Sequence, residues 1–195
     1  HTVPGRRASD CLKCGKCEKV CPQHLPIRRL LEDVAKEFEE KFNKKIPVVF
    51  GGGIFDKKDI EHYLSLGLSG VQMATRFVAT KECDAAEAFK NMYVKAKASD
   101  VTIVQSPVHM PGRALLNPFV RAVRQGRIPV TNCFHCLKTC DPSTTPYCIT
   151  QALIRAVRGD VDHGLVFCGA NAWKINQITT VHDLFTELVE GTAKA

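Results

Sequence analysis

The chain has 195 residues, of which 45% are apolar and 24% charged, with a net charge of +7. That profile suits a globular protein able to bury a core in one domain or two small ones. No run of about 18 uninterrupted apolar residues occurs, so no transmembrane helix is expected. The first residues, HTVPGRRASD, lack an apolar stretch of signal-peptide type, and a start at His1 in place of methionine is expected of a fragment or a processed product. The first fifty residues hold eleven Lys or Arg against seven Asp or Glu, and no aromatic residue stands among their cysteines to stack on bases. Nucleic acid is therefore not an expected partner, nor is a membrane.

Ten cysteines are many for a chain of this size, and eight of them fall in two tight groups, with Cys83 and Cys168 standing alone. Thiols two or three residues apart converge on a metal more readily than they build a disulfide framework, which points to a reducing, cytoplasmic setting. The first group, Cys11, Cys14, Cys17 and Cys21, is spaced C-x2-C-x2-C-x3-C and followed by Pro22. This is the bacterial ferredoxin run, in which short spacers wrap thiolates round a 4Fe-4S cluster; zinc is the second choice, because zinc ribbons separate their C-x2-C pairs. In two-cluster ferredoxins the fourth cysteine serves the other cluster, so Cys21 either completes this cluster or serves a second. Ile27, Leu30, Leu31, Val34, Phe38 and Phe42 then recur at helical spacing, with Pro26 suited to the first turn and a charged opposite face that reads as solvated surface.

The segment ASDCLKCGKCEKVCPQHLPIRRLLEDV resembles the iron–sulfur end of a family of bacterial aldo/keto reductases with ferredoxin-type domains. The resemblance covers residues 8–42 and does not include that family's barrel, so its activity is not carried over.

From residue 46 the character changes. Val48, Val49 and Phe50 read as a short buried strand ended by Gly51, Gly52 and Gly53. Asp56 reads as a helix N-cap, Ile60, Tyr63, Leu64 and Leu66 as an apolar stripe, and Gly67 as the stop. GVQMATRF reads as a second strand running into a loop that carries Thr75 and Arg76. Strand, helix and strand with short links imply parallel βα units. Glycines after a parallel strand let backbone N–H groups approach an anion, as in the phosphate sites after the last strands of (β/α)8 barrels.

The glycine loop paired with VQMATRF resembles the nitronate monooxygenase (2-nitropropane dioxygenase) family and the related flavin-type enoyl-ACP reductases. The likeness runs on through ATKECDAAEAFKNMYVKA, SPVHMPGRALLNPF and GLVFCGANAWKINQITTVHDLFTELVEG, covering residues 46–191. It implies an α/β chain: a partial (β/α)8, TIM-barrel-type flavoprotein over 44–195, preceded by the iron–sulfur segment over 1–43. By this resemblance Gly52, Gly53, Ala74 and Thr75 hold the phosphate of FMN, Gln72 and Met73 lie toward the flavin, and Gly169 and Asn171 approach it from the C-terminal part. Ala74 stands where the family commonly has glycine. The family's catalytic base comes from an earlier strand, one of six without a counterpart here, so no catalytic residue is assigned. A fragment, a true fusion and a misjoined product, with a seam near KFNKKIPVV, all account for that pattern. His109 reads as a plain loop histidine, Cys83 as packing, and Cys168 and Trp173 as buried.

The second group, Cys133, Cys136, Cys140 and Cys148, is spaced C-x2-C-x3-C-x7-C, with His135 a bystander. Four soft thiolates in this pattern suit a second iron–sulfur cluster, a tetrahedral zinc, or free redox thiols, and spacing alone leaves the three open. The last apolar face is Val181, Leu184, Phe185, Leu188 and Val189. The sequence reading is an FMN-dependent oxidoreductase acting on a small, nitronate-like substrate, joined to an iron–sulfur segment that exchanges electrons with a redox partner protein. The alternative is a non-catalytic iron–sulfur electron-transfer or scaffold module. Oligomeric state is not legible.

Overall fold

The computed structural model describes residues 8–21, 24–43 and 46–191, so His1, Pro22 and residues 44 and 45 of the seam lie outside it. The chain divides into two compact units, residues 1–73 with 184–195, and residues 74–183.

In the first unit a 3-10 turn (Ala8–Asp10) precedes α1 (Lys16–Val20), which starts after Gly15 at φ 71°. Next, α2 (Ile27–Val34) continues as a π-helical stretch, Ala35–Glu40. The expected apolar stripe does not form a core, because Leu30, Phe38 and Phe42 are exposed and only Ala35 of this helix is buried. The wider π turn also breaks the 3.6-residue repeat on which the stripe depends. The charged face, read as bare solvated surface, tethers the cysteine segment instead. Lys13 pairs with Glu32 at 2.5 Å, Arg28 pairs with Glu18 at 2.8 Å, and the Ala8 N–H donates to Glu39 at 2.7 Å.

The same unit holds β1 (Val49–Gly51), α3 (Lys57–Ser65) and β2 (Gly70–Gln72). The two strands are parallel, in register Val49↔Gly70, Phe50↔Val71 and Gly51↔Gln72, with α3 as the obligatory crossover. Asp56 caps α3 in a reciprocal box with Asp59, accepting from its N–H at 2.9 Å, and Phe50 stacks on Tyr63 at 3.9 Å to fix the helix on the strand. Gly67, at φ 91°, ends the unit's turn as expected. The last helix, α8 (Val181–Glu190), buries Leu184 and Leu188 but leaves Phe185 and Val189 exposed, so its buried stripe is narrower than the sequence suggested. Among the described residues no helix is long and apolar enough to cross a membrane.

The second unit contains α4 (Thr75–Val78), α5 (Glu87–Lys95), β3 (Val101–Gln105), β4 (Pro111–Leu115), α6 (Pro118–Gln125) and α7 (Ile149–Val157). Thr75 and Arg76 therefore sit on a helical turn, where the sequence suggested a loop. The strands β3 and β4 form an antiparallel hairpin, Val101↔Leu115 to Gln105↔Pro111. The core is here: Val104, Ala114, Phe119, Val120, Tyr147, Ala152 and Leu165 cluster, with Phe119 edge-on to Tyr147 at 5.2 Å. Trp173, expected to be buried, is exposed on a short 3-10 turn.

Asn117 joins three parts of this core. Its side-chain oxygen accepts from the Val120 N–H at 2.9 Å, capping α6, and its amide donates to the carbonyls of Val161 (2.6 Å) and Gly164 (2.8 Å). Asn117→Ala removes an N-cap worth about 1 kcal/mol and strands carbonyls at roughly 1–3 kcal/mol. The expected loss is about 2–4 kcal/mol in urea unfolding, with Asn117→Asp, which keeps the cap but not the donor, falling between.

Burial also raises three acidic groups in this unit. The Cys168 thiol is pushed up from 9.0 to about 12, the Tyr147 hydroxyl from 10.0 to about 12, and the Tyr93 hydroxyl upward as well. The folded state thus holds protons that the unfolded state releases first, so this stability is complete below pH 9.0 and is lost as pH rises toward 12. Melting temperature should fall across that window, and Tyr147→Phe should flatten the decline.

Candidate functional site

Three places carry the residues singled out by sequence, and each is held by local structure. The first is the C-terminal edge of the β1–β2 pair. Because Gly51 lies opposite Gln72, the glycine turn and the chain leaving β2 through Met73 issue from the same end of a parallel pair. Gly52 and Gly53 take φ of 105° and 73°, and a Cβ on either would meet no atom within 4 Å. That is an open cradle whose backbone only glycine adopts at low cost. Gly51, Gly52 and Gln72 are exposed there, while Gly53 and Met73 are half-buried.

The second place lies within residues 74–183. Ala74, at φ −129°, precedes α4 outside the left-handed region that only glycine adopts at low cost, and it is exposed. The Thr75 hydroxyl accepts from the Gly169 N–H at 2.8 Å, and a Cβ on Gly169 would come 3.0 Å from that same oxygen. The structure thus joins two residues that sequence placed 94 positions apart. Asn171 follows, at the start of the 3-10 turn Ala172–Lys174, and its carbonyl accepts from the Lys174 N–H at 3.1 Å. Cys168 beside them is half-buried, and the burial it has pushes its thiol up to about 12, which suits packing and not nucleophilic attack. His109 is an exposed loop residue at φ 61°.

The thiols occupy the third kind of place. Cys11, Cys17 and Cys21 are half-buried and Cys14 is exposed; Gly15 bends the run in the left-handed region, and partial burial raises the Cys17 thiol above its ordinary value. The contacts that hold this run, from Glu18, Glu32 and Glu39, were invisible as a site in the sequence because charged helical faces are so common.

Cys133, Cys136, Cys140 and Cys148 all line one cavity of about 290 Å³ in the segment between α6 and α7. Two sulfurs receive hydrogen bonds: the His135 N–H donates to Cys133 Sγ at 3.4 Å, and the Thr150 hydroxyl to Cys136 Sγ at 2.9 Å. Thr150 was not anticipated, although its position in the first turn after Cys148 places it beside the group. Among the described residues, no three His, Cys, Asp or Glu side chains are gathered as a metal-binding group at either set of cysteines.

The family profile described as Nitronate monooxygenase matches residues 23–191, starting just past Cys21. A probable nitronate monooxygenase of Staphylococcus saprophyticus is 31% identical over 80 residues, which are 41% of this chain and 22% of that protein. The solved structure of FabK from Thermotoga maritima superposes with a TM-score of 0.60 at 28% identity, over 76% of this chain and 44% of FabK. Nitroalkane oxidase from Streptomyces ansochromogenes shares the fold, with a TM-score of 0.54 at 22% identity, over 77% of this chain and 42% of the oxidase. The chain thus spans about a fifth of the curated relative's length and under half of the two solved structures. The α/β architecture is that of a partial TIM-barrel-type domain, and with the profile matching most of its length, the chain belongs to the nitronate monooxygenase family.

Proposed function

We propose that this chain serves an FMN-dependent oxidoreductase of the nitronate monooxygenase type, acting on a small, nitronate-like substrate in the cytoplasm. The observation that carries the reading is the open glycine turn, Gly52–Gly53, at the end of β1 with β2 in parallel register beside it. In this reading Gly52, Gly53, Ala74 and Thr75 hold the phosphate through backbone N–H groups and one hydroxyl, while Gln72 and Met73 face the flavin. Exposed glycines suit an anion because no side chain keeps it from the backbone. Gly169 keeps Thr75 oriented by donating to its oxygen, which leaves the hydroxyl proton as the group able to donate. Asn171 approaches the flavin from the C-terminal part. The flavin supplies the redox chemistry when bound; the residues present bind and orient it.

The same proposal assigns a 4Fe-4S cluster to Cys11, Cys14, Cys17 and Cys21 in the segment over 1–43, ahead of the flavoprotein part over 44–195. Its support is the ferredoxin spacing together with the left-handed Gly15, which turns the run at its centre. These four thiolates would hold the cluster, and it would supply single-electron transfer with a redox partner protein.

Flavin binding is tested with the whole chain by titrating FMN and riboflavin and following flavin fluorescence. FMN should bind about tenfold or more tightly than riboflavin, since charge-assisted hydrogen bonds to phosphate exist only for FMN. Gly52→Val, which forces a β-branched residue to φ 105°, should remove most of that difference and leave riboflavin binding unchanged. Equal affinities for the two flavins, or no binding of either, would overturn the phosphate assignment.

The cluster assignment has its own readout. Protein prepared without oxygen should carry about four iron atoms at this run. A Cys11→Ser, Cys14→Ser variant should lose that iron with its acid-labile sulfide; unchanged iron in the variant contradicts the assignment.

A further inference from the structure

We propose that Cys133, Cys136, Cys140 and Cys148 form a thiolate-ligated centre for a soft metal, a zinc ion or an iron–sulfur cluster, independent of the flavin reading. Three observations carry it. The first is that four thiols separated by up to fifteen positions line a single cavity of about 290 Å³. Residues 127–147 contain no helix or strand, and the segment sets all four thiols along one cavity without yet bringing three of them together as a metal-binding group. A loop of that length without regular structure is uncommon unless it does something.

The second observation is the outer shell. Ligating thiolates characteristically accept hydrogen bonds that orient the sulfur and spread its charge. Cys133 receives one from the His135 backbone N–H two residues on, and Cys136 receives one from the Thr150 hydroxyl.

The third is the anchoring of the loop's far arm. The Arg127 guanidinium donates to the carbonyls of Pro142 (2.6 Å) and Thr145 (3.0 Å), and the Ile128 N–H donates to Pro146 at 2.8 Å. Tyr147, fully buried beside Cys148, donates to the Gln105 carbonyl at 2.9 Å. One arm is therefore fixed on the core while the Cys133–Cys140 arm is free of sheet or helix hydrogen bonds. Ligation draws that arm inward: a zinc brings four sulfurs to about 2.3 Å from one point, whereas a cluster spreads them over its corners. The apolar Val130 and Ile149 line the same cavity and would keep water from the metal.

The test uses the whole chain, prepared without oxygen, with zinc, iron and sulfide measured per chain. Cys133→Ser, Cys136→Ser should lose one centre's worth of metal, and Cys11→Ser, Cys14→Ser should leave that portion in place. Loss of about one zinc identifies a single ion, and loss of iron with sulfide identifies a cluster; either supports the proposal. Because the double variant could unfold, thiol alkylation of the unaltered protein provides a second measurement. Cys133, Cys136, Cys140 and Cys148 should react at least tenfold faster after a strong chelator is added, with Cys83 unchanged as the internal reference. Full metal content in the Cys133/Cys136 variant, or equal alkylation rates with and without chelator, overturns the proposal. Neither readout involves flavin, so a failure here is distinct from a failure of FMN binding.

Discussion

The second unit depends on how one extended run, Gly164 to Gly169, satisfies its backbone. The run belongs to no regular sheet beyond a single bridge, Ala114↔Phe167, yet its polar groups find partners on every side. Leu165 N–H donates to Ala152, the Val166 carbonyl accepts from Leu115, and Cys168 N–H donates to Arg113. The Gly164 carbonyl accepts from Asn117, the Phe167 carbonyl from the Tyr93 hydroxyl at 2.6 Å, and Gly169 N–H donates to Thr75. Leu165 and Val166 are fully buried, and buried backbone left without partners costs more than most side-chain contacts return. The run therefore fixes α7, the hairpin, α5 and α4 against one another. Gly164 shows how tight this is: a Cβ there would fall 2.4 Å from the Ala156 nitrogen.

Legibility in the sequence follows from whether a feature is local. Asp56 announced its helix because a capping box is complete within four residues, and the parallel pair was visible because glycines and a short crossover are sequence-local signals. The β3–β4 hairpin was not read, since its turn carries Pro107 and His109 instead of a glycine-based two-residue turn. Thr75 and Gly169 were each named, but through resemblance; no pattern reveals that a hydroxyl will accept from an N–H 94 residues away. The stripe over 27–42 misled for the opposite reason. Periodicity reports which residues share a face, and cannot report whether a partner covers it.

The two units also differ in what holds them. Burial in the described part of the first unit is thin, with Ala8, Ala35 and Ile54 the buried apolar residues before residue 74. Order there comes from ion pairs and from the short β1–β2 pair. Glu18 and Glu32 have carboxyls held below their ordinary range, chiefly by side-chain hydrogen bonds to Arg28 and Lys13. Glu32 is exposed and Glu18 half-buried, so salt screens these pairs to different degrees, and acid weakens both as the carboxylates protonate.

That contrast separates the two thiol groups physically. Cys11 to Cys21 sit in a segment fastened by charge pairs, a hold that salt and acid both weaken. Cys133 to Cys148 sit beside a clustered core, where Tyr147 and the Arg127 clamp fix one arm regardless of either. A metal ligated by the first set would contribute much of the local order itself, in the way that small metal domains fold on binding. At the second set, the core has already placed Cys148, and ligation has only the Cys133–Cys140 arm left to order. Equal numbers of cysteines thus imply unequal coupling between metal and fold, because the same four ligands begin from different degrees of preorganisation.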